Sequence, residues 1–464
     1  MIAGFAIAAV ALSLYFAAES GAQHASTISQ TPVSNISLNS SLAAANSYFD
    51  WPMYHRDPAH TGFIPINVTT VRQGWTSERL DGAIYAEPLV MGKSVFVATE
   101  NNSVYSLDAG SGAVNWKANM GQPVAADTLP CGNIDPSGIT GTPVIDNSTR
   151  TLYAVAHLAG SRSHELFGVN IDTGKVVMKR NVDPEGMNPV VQQERGALTM
   201  HNGTVYVPFG GLLGDCGNYL GWVMGARADS PGASLVTYMV PANREAGFWA
   251  TPGPSVDPAG YLYVASGNGD SVTKYDHGNS IIKLSPSLSE ASSFAPSDWA
   301  SLNAADTDIG SISPAIVGHG LLFQSGKAGV GYLVNSSSLG GIGGELFAGK
   351  VCAASFGGTA FADPYLMVPC TDGLYMLKVN AASSSFSVAW HSQPFFAGSP
   401  IVTGNVVWVI DVNSATLHAY NIKTGIEVWK SSLQSVPHFV TPAASGGRLF
   451  SVYDTSRIAS FDLS

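Results

Sequence analysis

The sequence predicts an all-β chain closed into a ring, an eight-bladed β-propeller with four-stranded antiparallel blades, and three observations carry that prediction. A strand–turn–strand unit recurs along the chain, and short apolar openings punctuate it at a period of roughly 50 residues. The composition agrees: among 464 residues there are 50 glycines and only 12% charged side chains, a balance suited to strands joined by tight turns.

The unit is clearest in three stretches, Val104 to Lys117, Leu166 to Lys179 and Leu417 to Lys430. In each, an alternating strand ends in Asp108, Asn170 or Asn421, and a Ser/Thr-Gly turn follows. The glycine supplies the left-handed conformation a hairpin of this kind needs. A second strand then carries Trp116, Met178 or Trp429, and a flat indole there is expected to dock between neighbouring blades. Weaker copies lie at Gly331 to Phe347, Leu374 to Trp390 and Arg457 to Leu463.

Each blade opens with a short apolar strand beside a small residue or proline. The openings fall near Pro88, Pro143, Ala197, Pro254, Pro314, Ala360, Pro400 and Pro442. The last unit reaches Ser464 just where its turn and Trp strand are due, and Val71 to Trp75 looks like that missing strand. The N-terminal segment is therefore expected to complete the final blade and protect the sheet edges that an open ring would expose.

Ahead of the ring, Ile2 to Ala18 is an uncharged apolar run, and the first basic residue is Arg56. We read residues 1–22 as an apolar signal, anchor or filament-type helix, 23–50 as a Ser/Asn-rich tether, and 51–464 as the propeller. One reading of the helix is an export signal or simple anchor, with Ser20-Gly21-Ala22 as a small-residue cleavage site. In the other, a basic leader has been removed and the segment resembles the mature helix of type-IV-pilin-like subunits, which implies self-assembly in a filament core. Either way the expected address is extracellular or cell-surface, with the cell envelope or membrane reached through this helix.

The net charge is −11 with no basic cluster, which argues against nucleic acid. Asn-x-Ser/Thr sequons at Asn35, Asn39, Asn67, Asn101, Asn147, Asn202 and Asn335 fit a glycosylated surface protein. Cys131, Cys216, Cys352 and Cys370 form no CxxC pair, so two disulfides are expected in place of zinc or haem attachment. HExxH, GxSxG and dinucleotide fingerprints are missing. Tyr54-His55-Arg56-Asp57 and His60 form a polar, aromatic segment that either lines a propeller face or packs the tether against the ring. Glu194-Arg195-Gly196 is expected to point into the central channel, where charges must pair or meet water.

The repeats resemble those of pyrroloquinoline-quinone (PQQ) type propellers over nearly all of residues 51–464. That resemblance implies a fold first, because the repeat occurs both in quinoprotein alcohol dehydrogenases and in non-catalytic scaffold propellers. The dehydrogenases lay PQQ on a Trp beneath a disulfide of adjacent cysteines, with a Ca²⁺ (or lanthanide) bound by oxygen ligands and an Asp as general base. By resemblance, Trp249 is the floor, Lys327 the cation near the quinone oxygens, Asp306 the base, and Asn268, Asp308 and, more weakly, Asp215 the metal ligands. The same residues read otherwise as a core Trp, turn Asn and Asp, and an exposed turn Lys.

One departure weighs against the enzyme. Where the family has Cys-Cys, this chain has Pro130-Cys131-Gly132, and the expected pairing becomes Cys131 with Cys216 and Cys352 with Cys370. The favoured expectation is a non-catalytic surface propeller for adhesion, binding or filament assembly, with a glycan or small molecule as ligand. The alternative is an exported PQQ- and Ca²⁺-dependent dehydrogenase of an alcohol or sugar.

Overall fold

A computed structural model of the chain describes residues 49–464. The apolar N-terminal segment, the tether up to residue 48 and the sequons Asn35 and Asn39 lie outside the described residues. The sheets fall into eight blades with antiparallel four-stranded cores. Blade 1 is Leu89–Met91, Ser94–Thr99, Ser103–Asp108 and Val114–Asn119, and the pattern repeats around the ring. In blade 8 the fourth strand is Val71–Thr76, which pairs antiparallel with Ile458–Leu463 in the register Val71 opposite Leu463. The expected closure is thus present, and it joins an early strand to the last described strand in one sheet.

The spacing of the repeat has a packing cause. The indole Nε1 of Trp75 donates to the Ala109 carbonyl of blade 1 at 2.9 Å, Trp116 of blade 1 to Ile171 of blade 2 at 3.0 Å, and Trp390 of blade 6 to Ile422 of blade 7 at 2.8 Å. Each indole also lies on the turn glycine of the next blade: a Cβ on Gly174 would stand 2.8 Å from Trp116, and one on Gly425 would stand 2.7 Å from Trp390. Those glycines have φ of +70° and +69°, so both conformation and contact demand them. The Asn170 and Asn421 side chains accept from the backbone N–H groups that follow and fix the same turns.

A second feature positions the site. Trp51 to Ile64 passes along the inner strands of the ring. Trp51 bridges Val90 in blade 1, Pro52 accepts from Ile145 in blade 2, Pro58 from Val256 in blade 4, and Thr61 from Phe361 in blade 6. Gly62 accepts from Val402 in blade 7, and Phe63–Ile64 then adds a parallel strand there. Side chains reach two further sectors: His60 Nε2 is 3.3 Å from the Thr199 hydroxyl of blade 3, and Tyr54 is 3.4 Å from Thr441 of blade 8. Trp51, Tyr54 and His55 are fully buried. The segment is a plug in the centre of the ring, and the cavity it leaves beside Pro252, Pro314 and Gly358 is only about 10 Å³. The Tyr54–His60 segment is itself packed inside the ring, with Tyr54, His55 and His60 buried; the tether it was expected to pack lies, up to residue 48, outside the described residues.

Among the described residues, no helix is long and apolar enough to cross a membrane. One short helix, α1 (Trp299–Ala304), interrupts the path between blades 4 and 5.

Candidate functional site

Just ahead of each opening strand the chain turns inward, and several blades place an aromatic side chain there. Tyr85, Trp249, Phe356, Phe396 and Phe439 are all part-exposed at this level. Trp249 and Phe356 have centroids 6.3 Å apart, and Phe356 and Phe396 6.1 Å apart. His438 lies edge-on to both Tyr85 at 5.1 Å and Phe439 at 4.9 Å. Arg195 joins the two arcs, its Cζ 5.3 Å from the Trp249 centroid and 5.8 Å from that of Phe439. This aromatic collar rests on the plug: Gly358, two residues beyond Phe356, faces the Tyr54 hydroxyl.

The charges around the collar are buried and mutually tuned. Arg195 is 9% exposed; burial lowers its guanidinium to about 10, against the pull of Tyr219, Asp215 and Tyr85. Burial also holds the His438 imidazole down at about 3, aided by the Arg195 charge. Glu100 is pushed up to about 8 by burial despite bonds from the Gly138 N–H and the Thr140 hydroxyl. The neighbouring Glu194 is raised well above the carboxylate range by burial and by Glu100. The expectation that Glu194 and Arg195 face the channel is met by Arg195, whereas Glu194 lies against Gly141.

Five of the six residues implied by the resemblance come together. Lys327 Nζ stands 2.7 Å from Asp308 Oδ2, 2.8 Å from Asp306 Oδ1 and 5.7 Å from the Trp249 centroid. Burial opposes the ammonium charge, but Asp308 and Asp306 outweigh it and hold Lys327 above its ordinary value. Asp306 follows α1 with φ +50°, and burial and Asp308 raise its carboxyl while Lys327 draws it back. Asn268 donates its backbone N–H to Asp308 Oδ1 and its amide to Glu245 Oε2, the latter at 3.2 Å. Asp215 stands apart from this group, accepting from the Tyr219 hydroxyl at 2.6 Å.

Glu245 and Tyr219 belong to the site and were not expected from the sequence. Glu245 has φ +69° and bridges Leu220 and Gly269; burial raises its carboxyl, Arg244 lowers it, and Asp215, Asp270 and Asp306 raise it further. The Asn243-Arg244-Glu245 charge cluster directly before Phe248-Trp249 was the one signal available.

Two features decide how far the quinone arrangement fits. Trp249 offers a flat floor. The metal shell is not assembled, because both Asp308 oxygens are committed, one to the Asn268 N–H and one to Lys327. Among the described residues, no three carboxylate, imidazole or thiolate donors converge here; the one such convergence, Cys352, Cys370 and Asp372, includes a disulfide. A metal-polarised quinone therefore does not fit the donor set as it stands. The cap also differs in kind. Cys131 is joined to Cys216 across 85 residues and Cys352 to Cys370 across 18, the expected pairings. The first ties the loop after blade 1 to the Asp215 loop of blade 3, and Asn133 in the same loop reaches His438 at 3.4 Å. A cavity of about 250 Å³ lined by Lys93, Asp108, Arg448 and Phe450 lies at the seam of blades 8 and 1, away from the collar.

Residues 61–210 match the family model described as Outer membrane protein assembly factor BamB. No curated protein sequence matches the chain. Among solved structures, quinohemoprotein alcohol dehydrogenase ADHIIG from Pseudomonas putida HK5 aligns with a TM-score of 0.69 at 14% identity, over 89% of this chain and 80% of that one. A europium-containing methanol dehydrogenase aligns at 0.67 and 14% identity over 89% and 98% of the two chains. BamB from Moraxella catarrhalis aligns at 0.56 and 14% over 86% and 100%. At such identities the likeness is one of fold. Together with the ring that the repeats build, these matches show that the chain has the eight-bladed β-propeller fold of the aligned structures, with residues 61–210 resembling the PQQ-type repeat.

Proposed function

We propose that this chain is an exported, cell-surface binding propeller that receives its ligand at the aromatic collar and does not run metal-assisted quinone chemistry. The observation that carries the reading is the Lys327 ammonium bound to both Asp306 and Asp308. A hard cation needs free oxygen ligands, and here those oxygens neutralise a lysine. The plug supports the same reading, since it fills the centre of the ring beneath the collar.

The surface address, glycosylation and attachment through residues 1–22 are part of this proposal. Sequons Asn67, Asn147, Asn202 and Asn335 are exposed, which supports it, whereas the Asn101 amide is engaged with Asp81 at 3.0 Å. Filament assembly through the apolar helix is the further possibility, tested by electron microscopy of the native cell surface; dispersed monomers would remove it.

A second reading, an exported quinoprotein dehydrogenase, is favoured by Trp249 lying beneath Lys327 and by the names of two aligned structures. The full chain should be incubated with PQQ and Ca²⁺, or PQQ and a lanthanide. On our reading, no stoichiometric quinone absorbance and no dye-linked alcohol oxidation develop. One bound quinone per chain with turnover would establish the second reading in place of the first.

A further inference from the structure

Register places Ser445 of blade 8 and Thr403 of blade 7 in equivalent positions, each at the end of its opening strand, Ser445 opposite Arg448 and Thr403 opposite Val406. Two residues further along the next strand, blade 7 has Trp408 and blade 8 has Phe450. The Trp408 indole N–H donates to the Thr403 hydroxyl at 2.8 Å. Phe450 has no such donor, and the Ser445 hydroxyl is left buried with no hydrogen-bond partner among the described residues. An orphaned hydroxyl of this kind costs stability and calls for an explanation. Ser445 lines the cavity of about 250 Å³ at the seam of blades 8 and 1, so a group entering that cavity is what would satisfy it.

The other polar groups of the cavity are balanced in charge. Lys93 is exposed, and its ammonium has no ion-pair partner among the described residues. Asp108 Oδ1 accepts from the Gly110 N–H, the Ser111 N–H and the Ser111 hydroxyl, while its second oxygen carries no hydrogen bond among those residues. Arg448 is held by Asp462 at 2.7 Å and by the Ala109 carbonyl at 2.8 Å, so its charge is already met. The turns that build the cavity join first to second and third to fourth strands. They lie at the end of the blades opposite the collar, which precedes the opening strands.

We propose that this seam cavity binds a single neutral pyranose, as a free sugar or as the terminal residue of a glycan. Sugar hydroxyls both donate and accept, and the cavity offers Lys93 as donor, the free Asp108 oxygen as acceptor and the Ser445 hydroxyl as either. Phe450 and Ala109 give the C–H face of the ring an apolar wall. The volume lies just under the roughly 300–1,000 Å³ of common ligand sites, which is room for one ring. An anion would meet the Asp108 carboxylate, and a cation would meet Lys93 and Arg448. The site is separate from the collar and does not depend on what the collar binds.

The test is titration of the purified full chain with the methyl glycosides of glucose, galactose and mannose, followed by saturation-transfer NMR and calorimetry. At least one is expected to bind saturably, one per chain. Ser445→Ala should weaken it by about threefold to tenfold. The melting temperature of that variant should hold or rise, since a buried unpaired hydroxyl is removed, so loss of binding is separable from loss of fold. Lys93→Ala, at an exposed position, should weaken the same sugar by a similar factor. Trp249→Leu should leave it unchanged, which keeps failure of the seam site distinct from failure of the collar. A glycan array then separates the sources: capture of glycans that end in the preferred sugar assigns a terminal residue, and binding of the free glycoside alone assigns a free sugar; either supports the site. No saturable binding of any of the three, binding that Ser445→Ala leaves unchanged, or saturable binding of inorganic phosphate in their place overturns the proposal.

Discussion

Trp116 of blade 1 stands on Gly174 of blade 2, so closely that a Cβ on the glycine would lie 2.8 Å from the indole. The same indole donates from Nε1 to Ile171 in the same turn at 3.0 Å. One residue thus sets both the turn of a blade and its distance from the blade before it. Gly174→Ala meets a left-handed backbone and an occupied space together, and should cost about 2 to 3 kcal/mol. Chemical denaturation of the variant measures this, and a loss no greater than at the open position Gly160, where nothing lies within 4 Å, would refute it.

Lys327 and Asp308 form the next test. The Asp308 side chain is 2% exposed and depends on Lys327 for its charge balance. Lys327→Met should destabilise the fold by about 3 to 5 kcal/mol, the usual effect of stranding a buried charge. Adding Asp308→Asn should recover part of that loss in a double-mutant cycle.

Buried acids and histidines predict opposite pH trends. The Glu100 carboxyl is raised from its ordinary value to about 8, so the folded state holds a proton that the unfolded chain releases above about pH 4.5. Its contribution to stability is present below that point and is lost as pH rises to about 8. Glu87 and Glu194 are raised by burial in the same direction. His55 and His60 are lowered by burial to about 3, so their contribution is present above about pH 6.5 and is lost as pH falls toward 3. Glu100→Gln should therefore gain stability relative to the parent chain at pH 8 compared with pH 5, by about 1 to 3 kcal/mol. Urea midpoints at the two pH values check the sign.

The disulfide from Cys131 to Cys216 closes a loop of 85 residues. Chain-entropy reasoning assigns such a link about 4 kcal/mol. Replacing both cysteines with serine should lower the denaturation midpoint by a corresponding amount.

The ring was legible in the sequence because its rules are local. An Asn or Asp, a turn glycine and a Trp sit within a dozen or so residues, and each acts on the next unit along the chain. The closing strand was legible for the same reason, since Val71 to Trp75 carries the motif that Leu463 lacks after it. The plug was not, because its partners are scattered: His55 bonds to Thr359, 304 positions away, and no local pattern encodes such a contact. At the site, Trp249, Asp306 and Lys327 were found through resemblance, and the structure places Lys327 against both of the others. Glu245 was hidden because a left-handed backbone and two isolated bridges place it. What the sequence could not reveal about Asp308 is that both its oxygens are spoken for.

The final blade takes three strands from the end of the described chain and one from near its beginning. Synthesis delivers those parts in the opposite order, Val71–Thr76 first and Ile458–Leu463 last. While the chain is still growing, the plug has no complete ring to enter and the closing strand has no edge to join. The native ring is thus complete only after the roughly 380 residues between these two strands have been made, so its assembly finishes at once and late.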